Sequence, residues 1–453
     1  MYEMPVGARC PPRASRQKMK FTLINLGCPK NTVDGLGIIA TLERDGLVFS
    51  GDISECEVAV VNTCGFIEAA KRESIEQILE VCELKADNEN PLHTVAVCGC
   101  LAERYFDDIK ADLAEVDVVC GLGSTAQLGE LIRDKASSKG EKLDADFGER
   151  NPDYEGYSSY IKISDGCDNC CSYCAIPSIR GRYRSRAKED VLAEIRGLAA
   201  VGVSEFTIVA QDTTAYGFDL YDKYRLHNLL QDVEKIDGVR RVFVLYAYPE
   251  RITDELIATI RDSKVIAKYL DLPIQHIDDD ILHKMKRPMR EAPFSVLFKK
   301  LREIPGMVLR TTLIAGFPTE TEEQFDKLCE FVKSAKFEHL GAFAYSREDG
   351  TLAAEMDGQI PEEVKQRRAE IIEEIQNVVF EEKLLARVGA VENVLVEGFD
   401  KYAEVWFGRS AFDAPEIDGK VFFRSSSEIK VGDYVDVKIE EIIDFNAFGE
   451  VVL

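Results

Sequence analysis

Four cysteines crowd one short stretch of this sequence, DGCDNCCSYCAIP at residues 165–177. Cys167, Cys171 and Cys174 stand in a C-x3-C-x2-C arrangement, and Cys167-x2-Cys170-x3-Cys174 is the other triplet the stretch allows. Three thiolates on one loop can each take an iron of a [4Fe–4S] cube, leaving the fourth iron open to a small chelating ligand. A zinc ribbon would need a fourth ligand at paired spacing, and no CxxC pair follows to supply it.

A second set is dispersed. Cys28 (LGCPKN), Cys64 (NTCGF) and Cys100 (CGCLAERY) each sit just beyond an apolar run. If those runs are parallel strands, their carboxyl-end loops converge on one side of a sheet, where ligands usually bind. Three cysteines there could hold a second cluster with its own open iron. They could equally be buried structural thiols, a common fate of cysteine. Spacing alone leaves the two readings level.

The elements that must position these thiols follow from periodicity. Residues 20–27 (KFTLINLG), 57–63 (EVAVVNT) and 94–99 (TVAVCG) read as strands, with helical patterns at about 35–45, 66–85 and 101–116 between and after them. The alternation predicts a parallel α/β domain over residues 20–136. Residues 137–157 are polar and aperiodic and read as a linker. From 158 to 387 six strand candidates recur with helical segments: YIKISDG, FTIVAQD, RVFVLYAYP, KYLDLPIQ, VLRTTLIAGFP and HLGAFAYS. Six units are too few for a closed eight-unit barrel and suit an open partial (β/α)6 barrel. A long charged helix at about 361–387 leads to residues 388–453, whose short strands and Gly turns predict a small antiparallel β-barrel.

Bulk properties set limits. A length of 453 residues allows two to four domains. No apolar run is long enough for a membrane span. Residues 1–19 are basic and lack an apolar core, so they read as a disordered extension, or as sequence preceding a true start at Met19. Thirteen cysteines without an export signal point to metal or redox chemistry in a reducing cytoplasm rather than to disulfides. A net charge of −25 argues against non-specific grip on nucleic acid and favours a basic partner.

These motifs carry a resemblance. C-x3-C-x2-C with an aromatic before the last cysteine, Tyr173, is similar to the radical S-adenosylmethionine signature, and that pattern selects Cys171 over Cys170. NLGCPKNTVD, VNTCGFIEAAKRESI and VCGCLAERY resemble the N-terminal domain of the methylthiotransferase family, which selects Cys100 over Cys98. Gly35 departs from the pattern, since relatives commonly carry Ser followed by Glu there. CAIPSIRGRYRSR, LYAYPE, DLPIQH, FAYSREDGT and APEIDG look like the branch acting on small-subunit ribosomal protein twelve rather than on transfer RNA. Residues 387–453 carry seven basic and fourteen acidic groups, which suits docking of a basic protein better than gripping RNA phosphates.

The resemblance implies two [4Fe–4S] clusters, one on Cys167, Cys171 and Cys174 and one on Cys28, Cys64 and Cys100, with S-adenosylmethionine as cosubstrate. It further implies a methylthio group placed on the β-carbon of an aspartate, a TRAM-like terminal barrel, and an electron donor such as flavodoxin or ferredoxin. The remaining cysteines, Cys10, Cys56, Cys82, Cys98, Cys120, Cys170 and Cys329, are expected to be non-ligands. Tyr173, Gln211, Asp212, Gln275 and Gly316 are expected to line the cosubstrate pocket. Hydrogen abstraction needs no acid–base pair, and the five histidines form no catalytic set. Arg180, Arg182, Arg184 and Arg186 alternate, so an extended segment would present them on one face toward a carboxylate.

Overall fold

The computed structural model describes residues 19–141, 150–154 and 156–452. The extension expected over 1–19, apart from Met19, and most of the central part of the expected linker lie outside the described residues.

The N-terminal sheet contains β1 (Lys20–Asn25), β2 (Val48–Phe49), β3 (Val58–Thr63), β4 (Thr94–Gly99), β5 (Val118–Gly123) and β6 (Ser138–Gly140). Their order is β2-β1-β3-β4-β5-β6, and every ladder is parallel. β3 and β4 are buried along their whole length, as a parallel strand covered by helices on both faces must be. β6 falls inside the segment read as linker, so the sheet runs further than its hydrophobic pattern suggested. Gly35 has a packing reason: a Cβ there would come 2.7 Å from Asn25 Oδ1 on β1. Its absence lets the helix Pro29–Arg44 approach the sheet closely.

The central domain brings together β7 (Ser158–Lys162), the short pair β8 (Ser164–Asp165) and β9 (Arg184–Ser185), then β10 (Glu205–Val209), β11 (Arg241–Val244), β12 (Tyr269–Asp271), β13 (Val308–Ala315) and β14 (His339–Ala344). Two parallel three-stranded sheets, β7-β10-β11 and β12-β13-β14, are joined by the bridge Val242↔Ile266. Six barrel strands in chain order form the expected open (β/α)6 wall. Its outer face packs on the crossover helices in one core that includes Val191, Ile195, Leu229, Leu301 and Val332.

The helix Glu362–Leu385 leads into β15 (Val391–Asp400), β16 (Val405–Arg409), β17 (Val421–Arg424), β18 (Tyr434–Ile443) and β19 (Asn446–Val451), which close a barrel in the order β15-β16-β17-β19-β18. Four ladders are antiparallel and one, β17 with β19, is parallel. The segment between β16 and β17 leaves this barrel and fills the amino-terminal mouth of the central one. Phe412, Ala414 and Ile417 join Tyr160, Phe243, Tyr269 and Val308 in a single cluster. Asp418 accepts from Tyr269 Oη at 2.6 Å and Arg310 Nη1 at 2.5 Å, and His339 Nε2 lies 2.8 Å from the Phe412 carbonyl. The APEIDG motif is thus the floor of the central barrel.

That placement leaves the charge balance as it stood. Glu392, Glu397, Asp413 and Asp418 are tied up in ion pairs with Arg387, Arg409 and Arg310. The other charged groups of residues 387–453 remain acidic by two to one.

Candidate active site

Where the N-terminal sheet packs on the central barrel, Cys100 touches Ala175 and Ile179, just past Cys174. On the sheet side, Cys28 precedes the helix Pro29–Arg44, Cys64 follows β3, and Cys100 opens a helical turn after β4. Gly99 makes the last turn possible. Its φ is +91°, and an added Cβ would lie 2.5 Å from the Thr63 carbonyl oxygen. Gly27, at φ +93°, lets Cys64 close in, since a Cβ there would come 3.0 Å from Cys64 Sγ. Burial pushes the Cys100 thiol up to about 12, and the thiols of Cys28 and Cys64 add to the shift, which places the three within electrostatic reach. Cys28 also feels burial, but the cations Lys30 and Arg180 outweigh it and bring its thiol below the ordinary value. Cys98 points the other way, into the core with Phe21 and Val118, 3.6 Å from the Val61 carbonyl.

On the barrel side, the loop after β8 carries the other set. Burial pushes Cys167 up to about 12, and burial with the neighbouring Cys171 raises Cys174 as well. Cys171 Sγ lies 3.3 Å from Tyr248 Oη. Arg287 stacks 3.7 Å over the Tyr248 ring and is itself buried. Cys170 is exposed, with φ +51°. Among the described residues no three His, Cys, Asp or Glu groups are arranged to hold a single metal ion. A cluster binds one thiolate at each of several irons and so spaces its ligands more widely.

The residues expected to line a cosubstrate pocket divide. Both polar atoms of the Gln211 side chain, just past β10, are buried without a hydrogen-bond partner. So are Arg287 Nε, Glu250 Oε2 and Tyr345 Oη. Buried polar atoms left unpaired are costly, and a polar ligand would satisfy them. Tyr173 packs beside Phe317 and Tyr345. Gln275 holds φ +72° and bridges to β13 through its backbone. Gly316 donates its amide to Glu320, and Lys365 fills the space beside it. Asp212 is already occupied: it accepts from Asn169 at 2.9 Å and Thr214 at 2.6 Å and pairs with Arg251. His276 accepts the Asp278 amide at Nδ1, and its buried Nε2 has no hydrogen-bond partner among the described residues. Sequence reasoning missed Tyr248, Glu250 and Arg287, although Tyr248 and Glu250 stand in the quoted LYAYPE.

The four arginines do not share a face. Ile176 and Pro177 start a helix, Ile176–Arg180, which Gly181 ends at φ +76°. Arg180 is consequently turned inward and buried, Arg182 is exposed on Asp168, and Arg186 is buried against Glu194. Arg180 Nη2 donates to Asn31 Oδ1 at 2.9 Å, Asp34 Oδ2 at 2.7 Å and Cys100 Sγ at 3.3 Å. Beside it, Ala175 and Ile179 pack on Cys100 and Leu122. Lys30 sits 3.3 Å over the Tyr246 ring at the end of β11. Buried contacts therefore run directly from one thiol set to the other.

Comparison with known proteins fits each part. Residues 161–332 match the Radical SAM superfamily, residues 20–121 the uncharacterized protein family UPF0004, and residues 388–452 the TRAM domain. Ribosomal protein uS12 methylthiotransferase RimO of Clostridium acetobutylicum is 43% identical, over 96% of this chain and 98% of its own length. The protein of the same name from Geobacter sulfurreducens is 42% identical, over 97% of this chain and 100% of its own. Among solved structures, the radical S-adenosylmethionine methyltransferase TsrM from Kitasatospora setae shares the fold with a TM-score of 0.54 at 15% identity, over 72% of this chain and 75% of that one. With the thiol geometry and near full-length relatives in agreement, the chain belongs to the radical S-adenosylmethionine methylthiotransferase family.

Proposed function

We propose that this enzyme places a methylthio group on the β-carbon of an aspartate in ribosomal protein uS12. The observation that carries the reading is a chain matched over 96% of its length by a relative of that name, and it is supported by Cys100 packing on Ala175 and Ile179 beside the other cysteine loop. Cys167, Cys171 and Cys174 would hold one [4Fe–4S] cluster, and Cys28, Cys64 and Cys100 the other. Bound there, the clusters and S-adenosylmethionine supply the electron, the hydrogen-abstracting group, the methyl and the sulfur.

The protein positions these groups and keeps water from them. Orphaned polar atoms on Gln211, Glu250 and Arg287 suit the polar ends of the cosubstrate. Tyr248 approaches Cys171 and is held by Arg287. Buried Lys30 and Arg180 offset the negative charge that three thiolates would bring. Contacts of Arg104 and Lys71 with Glu348 keep the N-terminal sheet over the barrel mouth. The acidic terminal barrel would attract a basic ribosomal protein, free or in the subunit. A flavodoxin or ferredoxin would supply electrons in the cytoplasm. No helix among the described residues is long and apolar enough to cross a membrane.

The test is an anaerobic reaction of reconstituted enzyme with S-adenosylmethionine, dithionite and a peptide from the uS12 loop, read by mass spectrometry. A methylthio group on aspartate, lost in Cys64→Ala, is the expected result. Deoxyadenosine without modified peptide would leave the radical chemistry standing and move the substrate to assembled subunits or transfer RNA.

A further inference from the structure

The geometry points to Arg180 as a positioning residue that donates an N–H···S hydrogen bond to the Cys100 thiolate and raises the reduction potential of the cluster held there. This rests on the proposal that Cys28, Cys64 and Cys100 hold a cluster.

Arg180 is fixed on three sides. Its Nη1 lies 3.1 and 3.2 Å from the two carboxylate oxygens of Asp165, and its Nη2 reaches Asn31, Asp34 and Cys100. Lys162 pairs with the same two aspartates, so the two cations and two carboxylates balance without Cys100. The contact to sulfur is therefore surplus to the ion network and is directed at one atom. Only a planar fork can bond Asp165 on one side and a thiolate on the other; an ammonium cannot span both. Hydrogen bonds to cluster sulfurs set potentials, and a cation beside a thiolate favours the more negative, reduced form. In a buried setting that preference is enlarged.

The arginine also belongs to the other loop. Five residues separate it from Cys174, and two of them, Ala175 and Ile179, touch Cys100. A shift of the first cluster's loop would thus move the donor on the second cluster's ligand.

The experiment uses the full chain carrying C167A, C171A and C174A, reconstituted with iron and sulfide, so that one cluster is titrated by potentiometric electron paramagnetic resonance. R180Q alone strips Asp165 of a partner, so R180Q/D165N and R180K are measured beside it. The expected result for R180Q/D165N is a tenfold fall in the reduced-to-oxidised ratio at fixed potential, about 59 mV for one electron. R180K should fall partway. Asp34→Asn, which frees Nη2 for sulfur, should shift the midpoint the opposite way. Equal midpoints at equal iron content in R180Q/D165N and its Arg180 parent would overturn the inference. A parent without iron and labile sulfide would overturn the ligand assignment itself, and the inference with it.

Discussion

Arg104 on the N-terminal sheet's helical edge donates through Nη1 to Glu348 Oε2 at 2.7 Å, joining it to the loop after β14 across 244 residues of sequence. Lys71 reaches the same oxygen at 3.2 Å, Arg104 Nη2 adds the Asp349 carbonyl at 2.8 Å, and Ser346 donates to Glu348 Oε1. Glu348 is 2% exposed, so the clamp works away from bulk water. It ties the edge of the N-terminal sheet to that loop and so fixes the register of the two domains.

Glu348→Gln should loosen that register while leaving each set intact. Deoxyadenosine should still form, but methylthio product per deoxyadenosine should fall about tenfold, equivalent to about 1.4 kcal/mol of lost alignment. The ratio of the two products in single-turnover samples measures it. An unchanged ratio would show that the clamp does not control alignment.

Acid should release the same clamp. Burial alone would push the Glu348 carboxyl up, but hydrogen bonds from Ser346, Arg104 and Lys71 outweigh it and hold the group below its ordinary value. A folded value below the unfolded one gives stabilisation that is full above the ordinary glutamate value of 4.5 and fades as pH falls through the folded value. The gap in urea midpoint between the parent and Glu348→Gln should therefore narrow on going from pH 7 toward pH 3. A gap constant with pH would contradict this.

Cys98 and Cys100 should separate cleanly. Cys98→Ala removes a core sulfur, costing on the order of 1 kcal/mol, and should keep the full iron complement. Cys100→Ala should lose the iron of one cluster. Iron and sulfide analysis of the two variants decides, and loss of iron in Cys98→Ala would reverse the assignment.

Gly99→Ala tests the turn that presents Cys100. A methyl group there meets backbone at 2.5 Å in a left-handed conformation, so strain on the order of 1–3 kcal/mol is expected. The strand end should shift and auxiliary iron content should fall, while iron on the Cys167 loop stays. Retention of all iron would mean that the turn tolerates a side chain.

Much of this arrangement was legible in the sequence. Cysteines directly after largely apolar, fully buried strands such as β3 and β4 lie at one sheet edge, because parallel strands end together. What escaped was of two kinds. The alternation of Arg180 to Arg186 was read as extended, yet Pro177 near a helix start and Gly181 at its end turn Arg180 inward. Contacts distant in sequence were silent: nothing in APEIDG announces that Tyr160 will donate to the Pro415 carbonyl at 3.1 Å, 255 residues away. Nor does the sequence show that Asp212 bonds Asn169, Thr214 and Arg251.

Asp418→Asn should expose how firmly the floor of the central barrel is held. Removing the charge leaves half-buried Arg310 opposite a neutral group, a loss of about 3 kcal/mol, the low end for breaking a buried pair. A lower unfolding temperature and new proteolytic cleavage within 410–420 should appear together. Unchanged proteolysis would show that the apolar contacts of Phe412 and Ile417 suffice.

The floor has a consequence for how this enzyme can change over time. A terminal module whose loop completes its neighbour's interior cannot be exchanged by recombination as an independent unit. Any lineage that replaced it would have to replace Tyr160, Tyr269, Arg310 and His339 in the same step, or leave the catalytic barrel open from below. The terminal barrel and the central barrel are therefore inherited as a single block, and change in either has to come by substitution at its surface rather than by shuffling.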